Sequence, residues 1–141
     1  MSGHADSSIR IWDSRNEHEI NNITVHKDKV TQVLGINSTM TIVSLSLDRT
    51  IRLIDFRNNS VLKSIDVAKT GLRSDKVRMQ IKNNVIYLGG NGGLMHTWSA
   101  IDGTKLSEIQ LNSEYIMNLD FRQGTNLMGI GDKKGSIKLF S

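Results

Sequence analysis

Apolar and polar residues alternate in short runs along the chain, the spacing of half-buried strands. The clearest run is Ser7-Ser8-Ile9-Arg10-Ile11-Trp12-Asp13. In order, the pattern predicts the end of one strand and a tight turn over residues 2–6, then strands over 8–13, 19–24, 30–36, 41–47, 51–56 and 61–66. After a longer polar connection at 67–76 come strands 77–81, 85–89, 94–99 and 105–109, and then 116–121, 127–131 and 136–140. Segment 30–36 (VTQVLGI) is rich in branched residues and reads as a strand buried on both faces. Asn83-Asn84, Asn91-Gly92-Gly93 and Asp102-Gly103 have the composition of hairpin turns.

The strands repeat as groups. Ser8–Asp13 has counterparts in Thr50-Ile51-Arg52-Leu53-Ile54-Asp55, Leu94-Met95-His96-Thr97-Trp98-Ser99 and Ser136-Ile137-Lys138-Leu139-Phe140-Ser141. The large apolar residue near each end falls at Trp12, Ile54, Trp98 and Phe140, so the spacings are 42, 44 and 42 residues. A period in the low forties with several strands per period and a Trp-Asp signature describes one blade of a β-propeller. With strands named a to d from the channel outward, residues 1–24 read as a remnant of b with c and d. Residues 25–66 and 67–109 read as full blades, and 110–141 as a, b and c without d. The expected fold is all-β, about three and a third blades, half of a seven-bladed ring. A ring of so few blades cannot close. The expected completing partner is the remaining half of its own propeller or a second copy of the chain.

Composition narrows the setting. The chain has 141 residues, 38% of them hydrophobic and 23% charged, the balance of an ordinary globular domain. It has no cysteine, which excludes disulfides and thiolate metal sites. The start, MSGHADSSIR, lacks the basic and apolar regions of a signal peptide, and no apolar run approaches membrane-spanning length. A cytoplasmic protein, recruited to intracellular membranes through partners, is expected. Glycosylation-like triplets at Asn22, Asn37 and Asn58 therefore carry no weight. The net charge of +4 permits contact with anions. Its densest cluster, Arg73, Lys76, Arg78 and Lys82, is not interleaved with aromatics, and it reads as solvated loop rather than nucleic-acid surface.

No residue set has the pattern of a catalytic, metal or cofactor site. Asp6, Asp13, Asp48 and Asp55 recur with the repeat, so pairing them as acid and base would mistake periodicity for chemistry. His4, His18, His26 and His96 lack metal-ligand spacing. Gly89-Gly90-Asn91-Gly92-Gly93 resembles a phosphate loop only in composition, and Gly124 to Gly129 has Ile130 where such a loop needs lysine. Lys27-Asp28-Lys29 lies in a connection from strand d to strand a, on the face where strand a begins. Loops held there by a stiff scaffold are where partners bind.

These features together resemble the WD-repeat propeller family. The resemblance implies a buried hydrogen-bond network joining a His before strand a, a Ser or Thr in strand b, an Asp in the b-to-c turn and the Trp of strand c. His26, Ser44 and Asp48 stand at the first three places in one blade, with Ile54 at the fourth. Ser2, Asp6 and Trp12 stand in the opening blade, and Gly3-His4 falls in its strand b rather than at the histidine's place. Trp12-Asp13-Ser14-Arg15 and Ile54-Asp55-Phe56-Arg57 resemble the Trp-Asp-X-Arg box of substrate receptors of cullin-type ubiquitin ligases, where the arginine docks on the adaptor. SGHADSSIRIWDSR, SLSLDRTIRLIDFRNNSVLKS and GLRSDKVRMQI more particularly resemble the C-terminal propeller of the autophagy-related sixteen-like family. That likeness implies a non-catalytic scaffold that places the machinery conjugating a ubiquitin-like modifier to membrane lipid. Lys29 then matches a lysine on the partner-binding face, where Ala5 replaces an aromatic residue. Lys27, Lys29, Arg15 and Arg57 are thus the candidate partner-binding residues. An RNA-associated assembly scaffold is a further alternative.

Overall fold

The computed structural model describes residues 1–141 except 37, 38, 73, 112 and 113, so the expectations at Asn37 and Arg73 lie outside the described residues. Every strand described pairs antiparallel with its chain neighbour. The chain divides into two compact units, Met1–Val67 and Ala68–Ser141.

In the N-terminal unit, β1 (Ser2–Gly3), β2 (Ser8–Asp13) and β3 (His18–Thr24) form one meander. The next consists of β4 (Val30–Gly35), β5 (Thr41–Ser46), β6 (Thr50–Asp55) and β7 (Ser60–Asp66). In the C-terminal unit, β8 (Met79–Lys82), β9 (Val85–Gly89), β10 (Leu94–Ser99) and β11 (Lys105–Gln110) form a four-stranded sheet. A three-stranded one follows, of β12 (Ile116–Phe121), β13 (Met128–Asp132) and β14 (Ile137–Phe140). Strand ends differ from the sequence reading by one or two residues, since propensity locates a strand better than its last hydrogen bond.

The repeat is also a repeat of geometry. A bulge interrupts the pairing at Ile11/Trp12, Leu53/Ile54 and Thr97/Trp98, the same place in three successive sheets. Such bulges increase the local twist of the strand pair. The turn after each bulge needs one left-handed residue, supplied by Glu17 (φ 56°), Asn59 (φ 59°) and Gly103 (φ 73°). Asn83 and Asn84, at φ 50° and 59°, make the two-residue hairpin that their sequence predicts.

One expectation is corrected. The strand at 30–36 is not buried on both faces. Val30 is buried, but Thr31 to Leu34 are half-buried and Gly35 is exposed. β4 lies at the edge of its sheet, whereas β5, flanked by β4 and β6, is buried along nearly its whole length. Branched residues suit either place, so composition does not separate them.

Each unit has its own core between two sheets. Ile9, Ile11, Ile23, Val30, Ile42 and Ile54 pack in the first, with Val25, Val33 and Phe56 at its rim. Met95, Leu111, Ile116, Leu119, Met128 and Ile130 pack in the second, beside Tyr87, Phe121 and Phe140. Close approach requires glycine at two positions, Gly3 and Gly89. A Cβ on Gly3 would lie 2.7 Å from Val30 Cγ1, and one on Gly89 2.4 Å from Ile116 Cγ2.

Candidate partner-docking site

The site is built around one buried histidine. His26 follows β3 and is 5% exposed, and Ser44, in β5, is fully buried. The His26 Nδ1 lies 2.9 Å from Asp48 Oδ2, and its Nε2 lies 2.7 Å from Ser44 Oγ. A carboxylate only accepts, so Nδ1 carries the proton. Burial lowers the pKa of His26 below its ordinary 6.5, outweighing the pull of Asp48, so Nε2 is bare and the Ser44 hydroxyl donates to it. Asp48 also accepts from the amides of Lys27 and Thr50, each at 3.0 Å, and from Thr50 Oγ1 at 2.7 Å. Burial pushes its carboxyl upward, but the bonds from Lys27, Thr50 and His26 prevail and hold it at about 2.

This cluster fixes the loop between β3 and β4 residue by residue. Arg52 donates from its guanidinium to the Val25 carbonyl. The Lys27 amide is held by Asp48, and Ser46 Oγ donates to the Asp28 carbonyl at 2.9 Å. The Leu47 amide donates to the Lys29 carbonyl, and the Val30 amide to the His4 carbonyl, both at 3.0 Å. Lys27 and Asp28 are exposed and Lys29 half-buried. A basic loop with its backbone tied at these residues is preorganised, and a partner docking there orders little on binding. Ser46 and Thr50 complete this framework and were not singled out from the sequence. Their signal was the small polar alternation in SLSLDRT, which equally describes any half-buried strand.

The first sheet arranges its residues differently. Trp12 Nε1 donates to Ser2 Oγ at 2.9 Å, and Ser2 Oγ lies 2.7 Å from His4 Nε2, so His4, from within the expected strand b, meets the serine. Asp6 turns to Ser8 and Arg10, accepting from Ser8 Oγ at 2.6 Å and Arg10 NH2 at 2.8 Å. The arginines of the two boxes fold onto their own aspartates. Arg15 NH2 lies 3.1 Å from Asp13 Oδ2, and Arg57 NH2 lies 2.5 Å from Asp55 Oδ2. The Arg57 side chain and amide lower Asp55 to about 2. Both guanidinium side chains remain exposed, 85% and 67%. The recurring aspartates thus serve turns and neighbours. Among the described residues no group of three His, Cys, Asp or Glu could hold a metal ion, and no helix is long and apolar enough to cross a membrane.

Repeated four-stranded meanders with a bulge at a fixed place and a His-Asp-Ser cluster give the chain the fold of a WD-repeat β-propeller. Among solved structures it is similar to the WD40 β-propeller domain of Doa1, at 21% identity and a TM-score of 0.75 over 99% of this chain and 45% of that one. It is likewise similar to the computationally designed Ika4 protein, at 21% identity and a TM-score of 0.77 over 98% of this chain and 81% of that one. These likenesses speak to the fold.

Among curated proteins, the chain is similar to Protein tipD of Dictyostelium discoideum, 25% identical over 96% of this chain and 23% of that protein. It is similar also to Protein Atg16l2 of Mus musculus, 28% identical over 78% of this chain and 18% of that protein. A shorter segment, 45% of the chain, is 37% identical to eukaryotic translation initiation factor 3 subunit I of Culex quinquefasciatus, covering 20% of that protein. The chain thus spans about a fifth of the curated relatives it matches. No family model matches it.

Proposed function

We propose that the chain is a non-catalytic docking scaffold that takes part in membrane targeting of a ubiquitin-like conjugation machinery of the autophagy type, with Lys27 and Lys29 on its partner-binding face. The observation that carries this reading is the loop from Val25 to Val30, whose backbone is held at Val25, Lys27, Asp28, Lys29 and Val30 while Lys27 stands exposed and Lys29 half-buried. Similarity to Protein Atg16l2 supports the choice of process. The partner's segment is expected to be acidic where it meets the two lysines. The arginines of the boxes, already closed on Asp13 and Asp55, offer less to a cullin-type adaptor.

The test expresses the chain as a fluorescent fusion, with Lys27→Glu/Lys29→Ala and Arg15→Ala/Arg57→Ala as variants. Recruitment to intracellular membranes and the amount of lipid-linked modifier are measured. The lysine variant is expected to lose recruitment and the arginine variant to keep it. The reverse outcome, with loss of adaptor pull-down in the arginine variant, would replace this reading by that of a ligase substrate receptor.

A further inference from the structure

The C-terminal unit carries a cleft that the His26 loop does not share. About 560 Å³ in volume, it is lined by Ser74, Lys76, Asn91, Tyr115, Met117 and Lys133. Its walls come from four places in the fold. Ser74 and Lys76 belong to the connection before β8, Asn91 to the β9–β10 turn, Tyr115 and Met117 to the start of β12, and Lys133 to the β13–β14 turn. The backbone beneath is tied together. Arg78 N donates to Met117 O at 3.0 Å, Lys133 N to Tyr115 O at 2.9 Å and Ile116 N to Gly90 O at 3.1 Å, while the Tyr115 hydroxyl donates to Gly71 O at 3.1 Å.

The residues of the His26 network are not repeated in this part of the sequence. Forty-four residues beyond His26, Ser44 and Asp48, the spacing of Trp98 from Ile54, stand Thr70, Leu88 and Gly92. The turn bearing Asn91 is packed instead against Gly71, where a Cβ would lie 2.2 Å from Asn91 Nδ2.

Charge defines what the cleft takes. Lys76 and Lys133 are exposed, and neither is ion-paired with a described residue. Two of the nearby carboxylates are engaged elsewhere, and a third, Asp75, stands in sequence between Ser74 and Lys76. Glu114 Oε1 holds Lys134 Nζ at 2.6 Å, and Asp132 Oδ1 accepts from the amides of Lys134 at 3.0 Å and Ser136 at 2.9 Å. Tyr115 and Met117 add an apolar wall that a bare phosphate would leave uncovered. The volume lies within the usual range of a ligand site, about 300–1,000 Å³.

The geometry points to a second docking site here, for a short acidic segment of a partner protein. Two carboxylates meet Lys76 and Lys133, and an apolar side chain between them lies on Tyr115 and Met117. This deepens the docking reading but uses none of the residues of the Lys27–Lys29 loop, so failure of either leaves the other standing.

The test is a chemical-shift titration of the 141-residue chain with a blocked hexapeptide alternating glutamate and leucine. Glutamine-for-glutamate peptide, inorganic phosphate and phosphatidylserine vesicles are titrated in parallel. The acidic peptide is expected to shift the amides of Ser74, Lys76, Asn91, Tyr115, Met117 and Lys133, and the other three probes are not. Two partly exposed charge contacts correspond to about a tenfold loss of affinity in Lys76→Gln/Lys133→Gln. Lys63→Gln/Lys69→Gln, equal in charge change, is expected to bind as the original chain. Shifts scattered over the surface, equal weakening in both double variants, or a response to phosphate or vesicles matching that to the peptide would overturn the site.

Discussion

Replacing Asp48 by alanine removes the acceptor for four donors at once. They are His26 Nδ1 at 2.9 Å, the Lys27 and Thr50 amides at 3.0 Å each, and Thr50 Oγ1 at 2.7 Å. The ring of His26 is buried, so its N–H finds no water in exchange. Losing a charge-assisted bond to a buried donor costs about 1.5–3 kcal/mol. The other donors lie nearer solvent, and each adds about 0.5 kcal/mol after hydration. The expected loss is about 3–4.5 kcal/mol. Proton linkage supplies a second reading of part of it. Depression of the carboxyl from 3.8 to about 2 corresponds to about 1–2 kcal/mol once solvent screening is allowed for. The native state holds the group deprotonated, so this stability is complete above pH ~4 and is lost as pH falls through ~2. Urea denaturation of both proteins at neutral pH, and again between pH 4 and 2, reads both quantities. Hydrogen exchange at Lys27 and Thr50 reports whether the loop itself is released. A variant within about 0.5 kcal/mol of the original, or one with the same acid dependence, would refute the assignment of Asp48 as the anchor of the loop.

Two more outcomes follow from the same geometry. His26 has a pKa below 6.5, so the unfolded chain takes up its proton first and stability falls as pH drops below about 6.5. His26→Gln is expected to flatten the pH dependence of the urea midpoint between pH 7.5 and 5, though only in part, because buried His96 is displaced the same way. Gly89→Ala would place a Cβ 2.4 Å from Ile116 Cγ2 and 2.7 Å from the Ile116 carbonyl oxygen. Relief requires β12 to move, and a loss of about 2–3 kcal/mol by urea denaturation is expected. Gly129→Ala, whose Cβ would meet only Leu139 Cδ2 at 3.5 Å, serves as the control.

The chain by itself determined its strands, their grouping and the kind of fold, because each depends on local rules. Alternation marks a strand, Asn-Asn or Gly marks a turn, and a period of 42 to 44 residues marks a repeated sheet whose members need not be adjacent to be recognised. His26, Ser44 and Asp48 could be named in advance because the resemblance to WD-repeat blades assigns each a place. Tertiary structure alone decided what depends on distance between segments remote in sequence. It left β4 half-buried at an edge although its residues suit an interior strand. It also joined Ser74, Asn91, Tyr115 and Lys133, drawn from four connections, into one cleft. Polar loop residues carry no period and their pairing is set by how sheets pack, so their convergence has no signature in the order of residues.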